Sequence, residues 1–187
     1  VMVTHDLREA RLLADRISIL DGGTTLQDGA PERVMSQPRN ARVAALVGLR
    51  DVHLGVFHRA TAAGGMARLR WGDANTGIDL MTFDKGRLED GAHVRWVVSG
   101  EHVQLHAQAS TAMNTVACTL HAMRRLGEIV TLQCRPRDLP QVRLHLDVTS
   151  WFTRLLILQP GAVVQLEIDP QGIHIMPVKR ALLDPLD

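Results

Sequence analysis

Aromatic residues are scarce in this 187-residue chain, which has three tryptophans, three phenylalanines and no tyrosine. Proteins that bind single-stranded nucleic acid stack bases on exposed aromatic side chains beside a basic groove. Here Phe57, Trp71 and Trp96 fall in predicted strands, and 21 basic residues nearly balance 20 acidic ones. The sequence therefore argues against a nucleic-acid partner.

Long apolar runs and a charged leader segment are also missing. A helix that crosses a bilayer needs about 20 consecutive apolar residues, and no run in the sequence approaches that length. We therefore predict a cytoplasmic protein, and its length is sufficient for one or two domains with a substantial core.

Cysteine occurs only twice, as Cys118 and Cys134. Both fall on adjacent predicted strands with inward parity, so we expect two reduced thiols that face each other in the core. Two cysteines are too few for a structural zinc site without histidine. His102 and His106, four residues apart in extended chain, would be separated by about 13 Å, so no metal site is predicted.

Residues 1–48 have the pattern of an α/β segment. "VMVTH" predicts a short strand, and Asp6 then stands at a helix N-cap with Glu9 at capping-box spacing. "ISILDGGTTLQDG" predicts a hairpin around its "DGG" turn. Two short helices follow, one with Pro31 in its first turn and one that ends at Gly48.

After residue 49 the helical periodicity gives way to alternation of period 2, as in Val94, Trp96 and Val98. Short strands separated by Gly and Asp are typical of a small barrel or sandwich. We therefore predict that the rest of the chain is nearly all β.

This β region also repeats itself. "LEDGAHVRWVVSGEHVQL" (88–105) aligns without gaps with "LQPGAVVQLEIDPQGIHI" (158–175), so that Gly91 corresponds to Gly161 and Leu105 to Ile175 at one constant offset. A shared turn glycine and shared apolar positions predict two tandem β-barrel lobes, at residues 49–110 and 111–187.

Three stretches at the start, "VTHD", "REARLLADRISILDGG" and "DGAPERVM", occur in an order that resembles the last segment of an ABC-transporter ATPase domain. In that family a strand ends in the switch histidine, and a helix and a hairpin follow. The resemblance implies that His5 is this histidine, which contacts the γ-phosphate of ATP and helps to orient the attacking water. An imidazole suits that role because it can donate to a phosphate oxygen whose negative charge grows in the transition state.

The same resemblance implies that the chain is a C-terminal fragment. The sequence contains no G-x-x-x-x-G-K-[ST] phosphate loop and no "LSGGQ"-type signature, which precede the switch histidine in the family. We therefore expect this fragment to be inactive as an ATPase and to hold no cofactor, whereas ATP and Mg²⁺ would belong to the full-length protein. Residues 1–48 would be a truncated remnant of the nucleotide-binding domain.

The β region resembles the tandem OB-like lobes of the transport-associated regulatory domain in import ATPases. "VRWVVSGEHVQL" is similar to the recurring "RPExVxL" segment, with Ser99-Gly100 in place of Arg-Pro and Glu101 retained. "STAMNTVACTL" and "VRLHLDVTSWFTRLLILQPG" resemble parts of a molybdate-binding lobe. The resemblance implies a mainly β fold of two tandem OB-like barrels after the α/β remnant, in an importer of molybdate or a related oxyanion.

A tetrahedral oxyanion needs several neutral donors and no facing carboxylate. Ser110, Thr111 and Asn114 open the second lobe, and Thr149 and Ser150 follow a predicted strand, so these five are the candidate ligands. The alternative is that they are turn and cap residues, which Ser, Thr and Asn fill routinely.

The resemblance further implies a homodimer through the C-terminal lobes and attachment to the inner face of the cell membrane through permease subunits. A purely structural dimerisation module, for an importer of sulfate, iron, polyamine or sugar, stays open as an alternative. A stand-alone enzyme is disfavoured because no nucleophile, base and acid are recognisable together. Without neighbouring strands, residues 1–20 are expected to reorder, to pack on a second copy or to be mobile.

Overall fold

The computed structural model describes residues 1–60, 65–73, 75–84, 86, 88–108 and 110–178. Residues 179–187 of the predicted second lobe lie outside the described part of the chain. The helices and strands, in chain order, are α1 (Leu7–Leu13), β1 (Ile17–Asp21), β2 (Thr24–Gly29), α2 (Pro31–Ser36), α3 (Ala41–Leu46), β3 (His53–His58), β4 (Met66–Gly72), β5 (Gly77–Phe83), β6 (Ala92–Val98), β7 (Val103–His106), β8 (Thr115–Leu126), β9 (Ile129–Pro136), β10 (Leu144–Thr149), α4 (Ser150–Leu155), β11 (Val163–Ile168) and β12 (Ile173–Pro177).

The α/β segment contains three short helices and one hairpin. Asp6 caps α1 by accepting hydrogen bonds from the backbone N–H groups of Arg8 and Glu9, at 2.8 and 3.2 Å. Gly22 and Gly23 both have positive φ, as the tight turn between β1 and β2 requires. Asn40 caps α3 by accepting from the N–H of Val43 at 2.9 Å.

The predicted strand at residues 1–4 is absent, which corrects the sequence-based expectation. Residues 1–4 have no regular structure, and the side chains of Val1 and Val3 are exposed. A strand needs a neighbour to take its backbone hydrogen bonds, and no described strand lies beside this segment. α1, which follows this segment, buries none of its residues.

The β region folds as two curled five-stranded sheets, as the predicted fold class requires. The first sheet has the strand order β12-β6-β3-β4-β5, and the second has the order β10-β9-β8-β11-β7. If each strand of the first sheet is replaced by its equivalent in the other half of the repeat, the order of the second sheet results, read from β7 to β10. The sheets share one continuous apolar core.

Each sheet takes one strand from the other half of the chain. β7, in the first half, pairs with β11 through Val103 and Ile168. β12, in the second half, pairs with β6 through Ile173 and Val98. The offset of the repeat converts the β7–β11 pair into the β12–β6 pair. The two halves of the chain therefore exchange equivalent strands. We call β7 and β12 the exchanged strands.

The helix α4 interrupts the β region, which the sequence predicts to be nearly all β. The alternating pattern of β10 continues to Thr149, whose hydroxyl then accepts from the N–H of Phe152 at 3.3 Å and caps α4. Phe152 and Leu156 pack against the shared core. The helix has six residues, too few for a periodicity to emerge in the sequence.

Candidate functional site

His5 lies immediately before α1, and its side chain is exposed. Its neighbours form a small capping network in which the Thr4 hydroxyl donates to Glu9 at 2.8 Å and accepts from the N–H of Asp6 at 3.0 Å. The Asp6 carboxyl has a lowered pKa, chiefly because it accepts from the backbone of Glu9 and Arg8. His5 therefore stands at the start of a capped helix with its imidazole accessible.

Asn114 occupies a structural position between the two sheets. It is buried with a φ of 58°, a left-handed conformation that Asn tolerates better than most residues. Its amide oxygen accepts from the N–H of Met81 at 2.6 Å, and its amide nitrogen donates to the carbonyls of Met81 and Ile168 at 2.8 and 3.1 Å. The amide thus joins β5 of the first half to β11 of the second, and both its donors are used.

Ser110 and Thr111 lie in the turn that leads to β8. The Ser110 hydroxyl is half-buried and accepts from the N–H of Ala112 at 3.2 Å, whereas Thr111 is exposed. The Thr115 hydroxyl donates to the Ala112 carbonyl at 2.7 Å and closes the same turn. These two candidate ligands are therefore accessible side chains on an ordered turn.

Thr149 and Ser150 lie at the opposite end of β8 from Ser110, Thr111 and Asn114. Thr149 pairs with Ile129, which follows the hairpin at the far end of this 12-residue strand. The N–H of Ser150 donates to the Glu128 carbonyl at 2.7 Å, and its carbonyl accepts from the Thr153 hydroxyl. The five candidate ligands consequently form two separate groups within one chain.

The exchanged strands meet at two short 3₁₀ turns, Gly100–His102 and Pro170–Gly172. Nδ1 of His102 lies 3.3 Å from the Asp169 carboxylate, and the N–H of Asp169 donates to the His102 carbonyl at 2.9 Å. Along β7, Nε2 of His106 lies 2.9 Å from the Glu167 carboxylate. Each of these two histidines thus contacts a single acidic residue.

Asp51 lies in the connection between α3 and β3 and contacts His145 on the edge strand β10 of the second sheet. Its carboxylate accepts from the backbone N–H of His145 at 2.5 Å and lies 2.8 Å from Nδ1 of the same residue. The sequence analysis did not identify this pair, and no local pattern could, because the two residues are 94 positions apart.

A cluster of three rings lies in the shared core. His53 is 4.7 Å from Trp71 and 4.9 Å from Trp96 between ring centroids, and the two indoles meet edge to face at 5.0 Å. Burial lowers the pKa of His53 to about 4, so the imidazole is neutral near pH 7. Phe57, Trp71 and Trp96 are all buried, so they present no faces for base stacking.

Cys118 and Cys134 are buried free thiols, and burial raises their pKa to about 12 and about 11. Cys118 pairs with Pro136 and Cys134 with Leu120, so the thiols are diagonal neighbours rather than direct partners. An irregularity between Leu120 and Ala122 shifts the register. Within the described residues, no group of three or more His, Cys, Asp or Glu side chains could hold a metal ion.

No protein-family model matches the sequence. The spermidine/putrescine import ATP-binding protein of Clostridium acetobutylicum is 39% identical over 179 residues, which cover 94% of this chain and 44% of that protein. The sulfate/thiosulfate import ATP-binding protein of Chromobacterium violaceum is 25% identical over 181 residues, which cover 97% of this chain and 46% of that protein. The chain thus spans less than half the length of these curated relatives.

Among solved structures, the cytoplasmic molybdate-binding protein ModG matches with a TM-score of 0.55 and 16% identity, over 70% of this chain and 98% of that one. This match concerns the fold. In the described part of the chain, no helix has the length and apolar character required to cross a membrane. Over nearly its whole length the chain is similar to the ATP-binding proteins of ABC-type importers, and its β region has the fold of tandem OB-like domains.

Proposed function

We propose that this chain is the C-terminal regulatory part of the ATP-binding subunit of an ABC importer. In this proposal it attaches to the inner face of the cell membrane through permease subunits, and its half-barrels form a homodimer and bind molybdate or a related oxyanion. The observation that carries the proposal is one continuous similarity that includes both the α/β segment and the β region.

The contacts between these two parts support a coupled role. Nε2 of His174, on the exchanged strand β12, lies 2.8 Å from the Pro38 carbonyl of the α/β segment. Ala44 of α3 also packs with Val97 and Met176 in a small apolar cluster. A movement of the segment that follows His5 would therefore be transmitted to β12, a strand of the second half that is part of the first sheet.

The chain does not itself contain the residues of a nucleotide site. His5 matches the family's switch position, but no phosphate-loop motif occurs in the sequence. We therefore assign ATP and Mg²⁺ to the longer protein, and derive no hydrolysis step from the residues present here.

An exposed apolar patch supports dimerisation. Trp151 and Leu155 of α4 are 62% and 58% exposed, and Leu126 at the neighbouring hairpin is 85% exposed. The hydrogen bond from Ser150 to Glu128 holds α4 beside that hairpin. We call Leu126, Trp151 and Leu155 the α4 patch, and propose that it packs against the same patch of a second copy, as two-fold dimers require.

Sedimentation velocity of the chain tests this contact. We expect a concentration-dependent dimer in which Trp151→Glu raises the dissociation constant at least tenfold, because the charge would have to be buried. The matched control is Leu20→Glu, on an exposed position of β1 that is 62% accessible. A wild-type chain that stays monomeric, or equal weakening by both variants, would overturn the dimer contact.

Ser110 and Thr111 are the accessible candidates in the turn before β8, since Asn114 beside them is buried and both donors of its amide are used within the chain. Isothermal titration with molybdate, tungstate and sulfate tests whether the chain binds these ions. We expect saturable heat with molybdate, and its loss in the double variant Ser110→Ala/Thr111→Ala. No heat with any of the three ions would leave the purely structural dimerisation module as the function.

A further inference from the structure

A cleft with a volume of about 790 Å³ lies between the α/β segment and the first sheet. β5 and β12 are the two edge strands of this sheet, and residues of both line the cleft, among them Thr82 and His174. The sheet therefore curls until its two edges approach each other, and residues 27–39 cover the opening. Small-molecule sites commonly lie at the openings of β-barrels, in cavities of similar volume.

The sheet side of the cleft carries five apolar side chains. Phe57 and Ile173 are buried at its base, and Leu88 and Ile175 are half-buried beside them. Phe83 also lines the cleft and is 43% exposed. This wall suits an aromatic ring or a short aliphatic chain, since such a group would leave water on entry.

The side formed by the α/β segment is cationic. Arg33 and Arg39 both line the cleft, and neither guanidinium forms an ion pair or hydrogen bond with a described residue. Their side chains are exposed and so can turn toward a ligand. Guanidinium groups bind carboxylates, sulfonates and phosphates through charge-assisted hydrogen bonds.

Two carboxylates also line the cleft, and each already has a cationic partner. Asp28 binds Arg16, and Asp84 lies 3.4 Å from Arg59. The pKa of Asp28 is lowered chiefly by that arginine, and the pKa of Asp84 chiefly by the backbone N–H of Gly86. Both ion pairs are neutral in sum, so Arg33 and Arg39 leave the cleft with a net positive charge.

We propose that this cleft binds a small organic anion that combines an apolar ring or chain with one carboxylate, sulfonate or phosphate group. The apolar part lies against Phe57 and Phe83, and the anionic group contacts Arg33 and Arg39. Thr82, which is 2% exposed and lines the same cleft, adds a hydroxyl donor. A ligand in this position contacts the α/β segment and both edge strands at once, so it stabilises their docking.

This inference goes beyond the proposed function and is independent of it. The residues of the cleft are distinct from the α4 patch and from Ser110 and Thr111. A failure of the dimer or oxyanion experiments would leave the cleft proposal intact, and the reverse is equally true.

Two fluorescent probes with the same apolar rings provide the test. Anilinonaphthalenesulfonate carries a sulfonate, whereas phenylnaphthylamine is neutral. In the double variant Arg33→Gln/Arg39→Gln we expect the dissociation constant of the anionic probe to rise about tenfold or more, with the neutral probe unchanged. The control is Arg143→Gln/Arg154→Gln, which removes the same charge from positions outside the cleft.

A second pair of variants tests the apolar wall and separates the cleft from other exposed apolar surface. Phe83→Ala is expected to weaken both probes at least threefold, whereas Leu20→Ala on the exposed face of β1 leaves both unchanged. Equal weakening of the anionic probe by the two arginine pairs, or no effect of Phe83→Ala, would overturn the proposal. Urea unfolding of each variant verifies that the chain is folded.

Discussion

A Cβ atom placed on Gly172 would lie 2.2 Å from the Cβ of His102 and 2.3 Å from its Cγ. Residues 102 and 172 are equivalent in the repeat, because the constant offset of the alignment separates them. The contact therefore lies where the two halves of the chain cross and exchange β7 and β12. The backbones at these two positions are so close that only one of them has room for a side chain. Position 102 carries histidine, and position 172 is glycine.

Replacement of Gly172 by alanine is expected to destabilise the chain by roughly 1–3 kcal/mol, the usual cost of overpacking. The atoms in the way are the Cβ and Cγ of His102, which lie close to the backbone and move little. The measurement is the urea midpoint. Gly100→Ala is the control, because its new Cβ would meet only the end of the Leu146 side chain, at 3.7 Å.

The second variant for this contact is His102→Gly combined with Gly172→Ala. Removal of the histidine side chain opens the space that the alanine needs, so the double variant should recover part of the lost stability relative to Gly172→Ala. An additive loss in the double variant would show that His102 is not the obstacle at position 172.

Stability should depend on pH through His53. Its pKa is about 4 in the folded chain and about 6.5 when unfolded, because burial disfavours the charged imidazole. Between these values the unfolded chain binds more protons, so the free energy of unfolding falls as pH decreases from about 6.5 to about 4. The full loss is roughly 3 kcal/mol.

Urea unfolding as a function of pH measures this effect. His53→Gln should flatten the decrease over that window, whereas His93→Gln, which replaces an exposed histidine, should leave it unchanged. Identical pH profiles for the wild type and His53→Gln would contradict the assignment.

Asn114→Asp is expected to destabilise the chain by roughly 2–4 kcal/mol near neutral pH. A carboxylate at this position keeps the hydrogen bond from Met81 N–H, but its second oxygen faces the carbonyls of Met81 and Ile168. Asn40→Asp is the matched control, because aspartate is an equally good helix N-cap. The measurement is the urea midpoint of unfolding. If both variants have the same urea midpoint, Asn114 does not join the two halves through its amide.

The two cysteines should resist alkylation in the native chain. The thiolate is the nucleophile, and pKa values of about 12 and about 11 leave almost none of it at pH ~8. Iodoacetamide should label neither Cys118 nor Cys134 in the folded chain and both in denaturant, as measured by intact mass. Labelling of the folded chain at the rate of the unfolded chain would contradict their burial.

Much of the β region was predictable because the two copies of the repeat have apolar residues and turn glycines at matching positions. Gly91 and Gly161 mark equivalent turns, and β6 and β11 occupy equivalent positions beside the exchanged strands. The exchange itself was not predictable, because alternation determines which face of a strand is buried and not which sheet the strand joins.

The candidate site was harder to predict, because the same residue types serve as ligands, turns and caps. Asn114 is a candidate oxyanion ligand by its position in a motif, and no local pattern could show that its amide also binds backbone groups of Met81 and Ile168. Thr149 caps α4, and the alternating apolar pattern of the preceding strand gives no sign of this helix. Arg33 and Arg39 come together with β5 and β12 only in the folded chain.

The central claim is that the two halves of the β region form one interlocked unit to which the α/β segment is docked. Hydrogen exchange of the whole chain, measured by mass spectrometry at increasing urea, tests it most directly through peptides from β4 in the first sheet and β9 in the second. We predict that both peptides lose protection at the same urea concentration, because neither sheet is complete without a strand from the other half. Loss of protection in two separate transitions, with one sheet folded while the other is open, would contradict it.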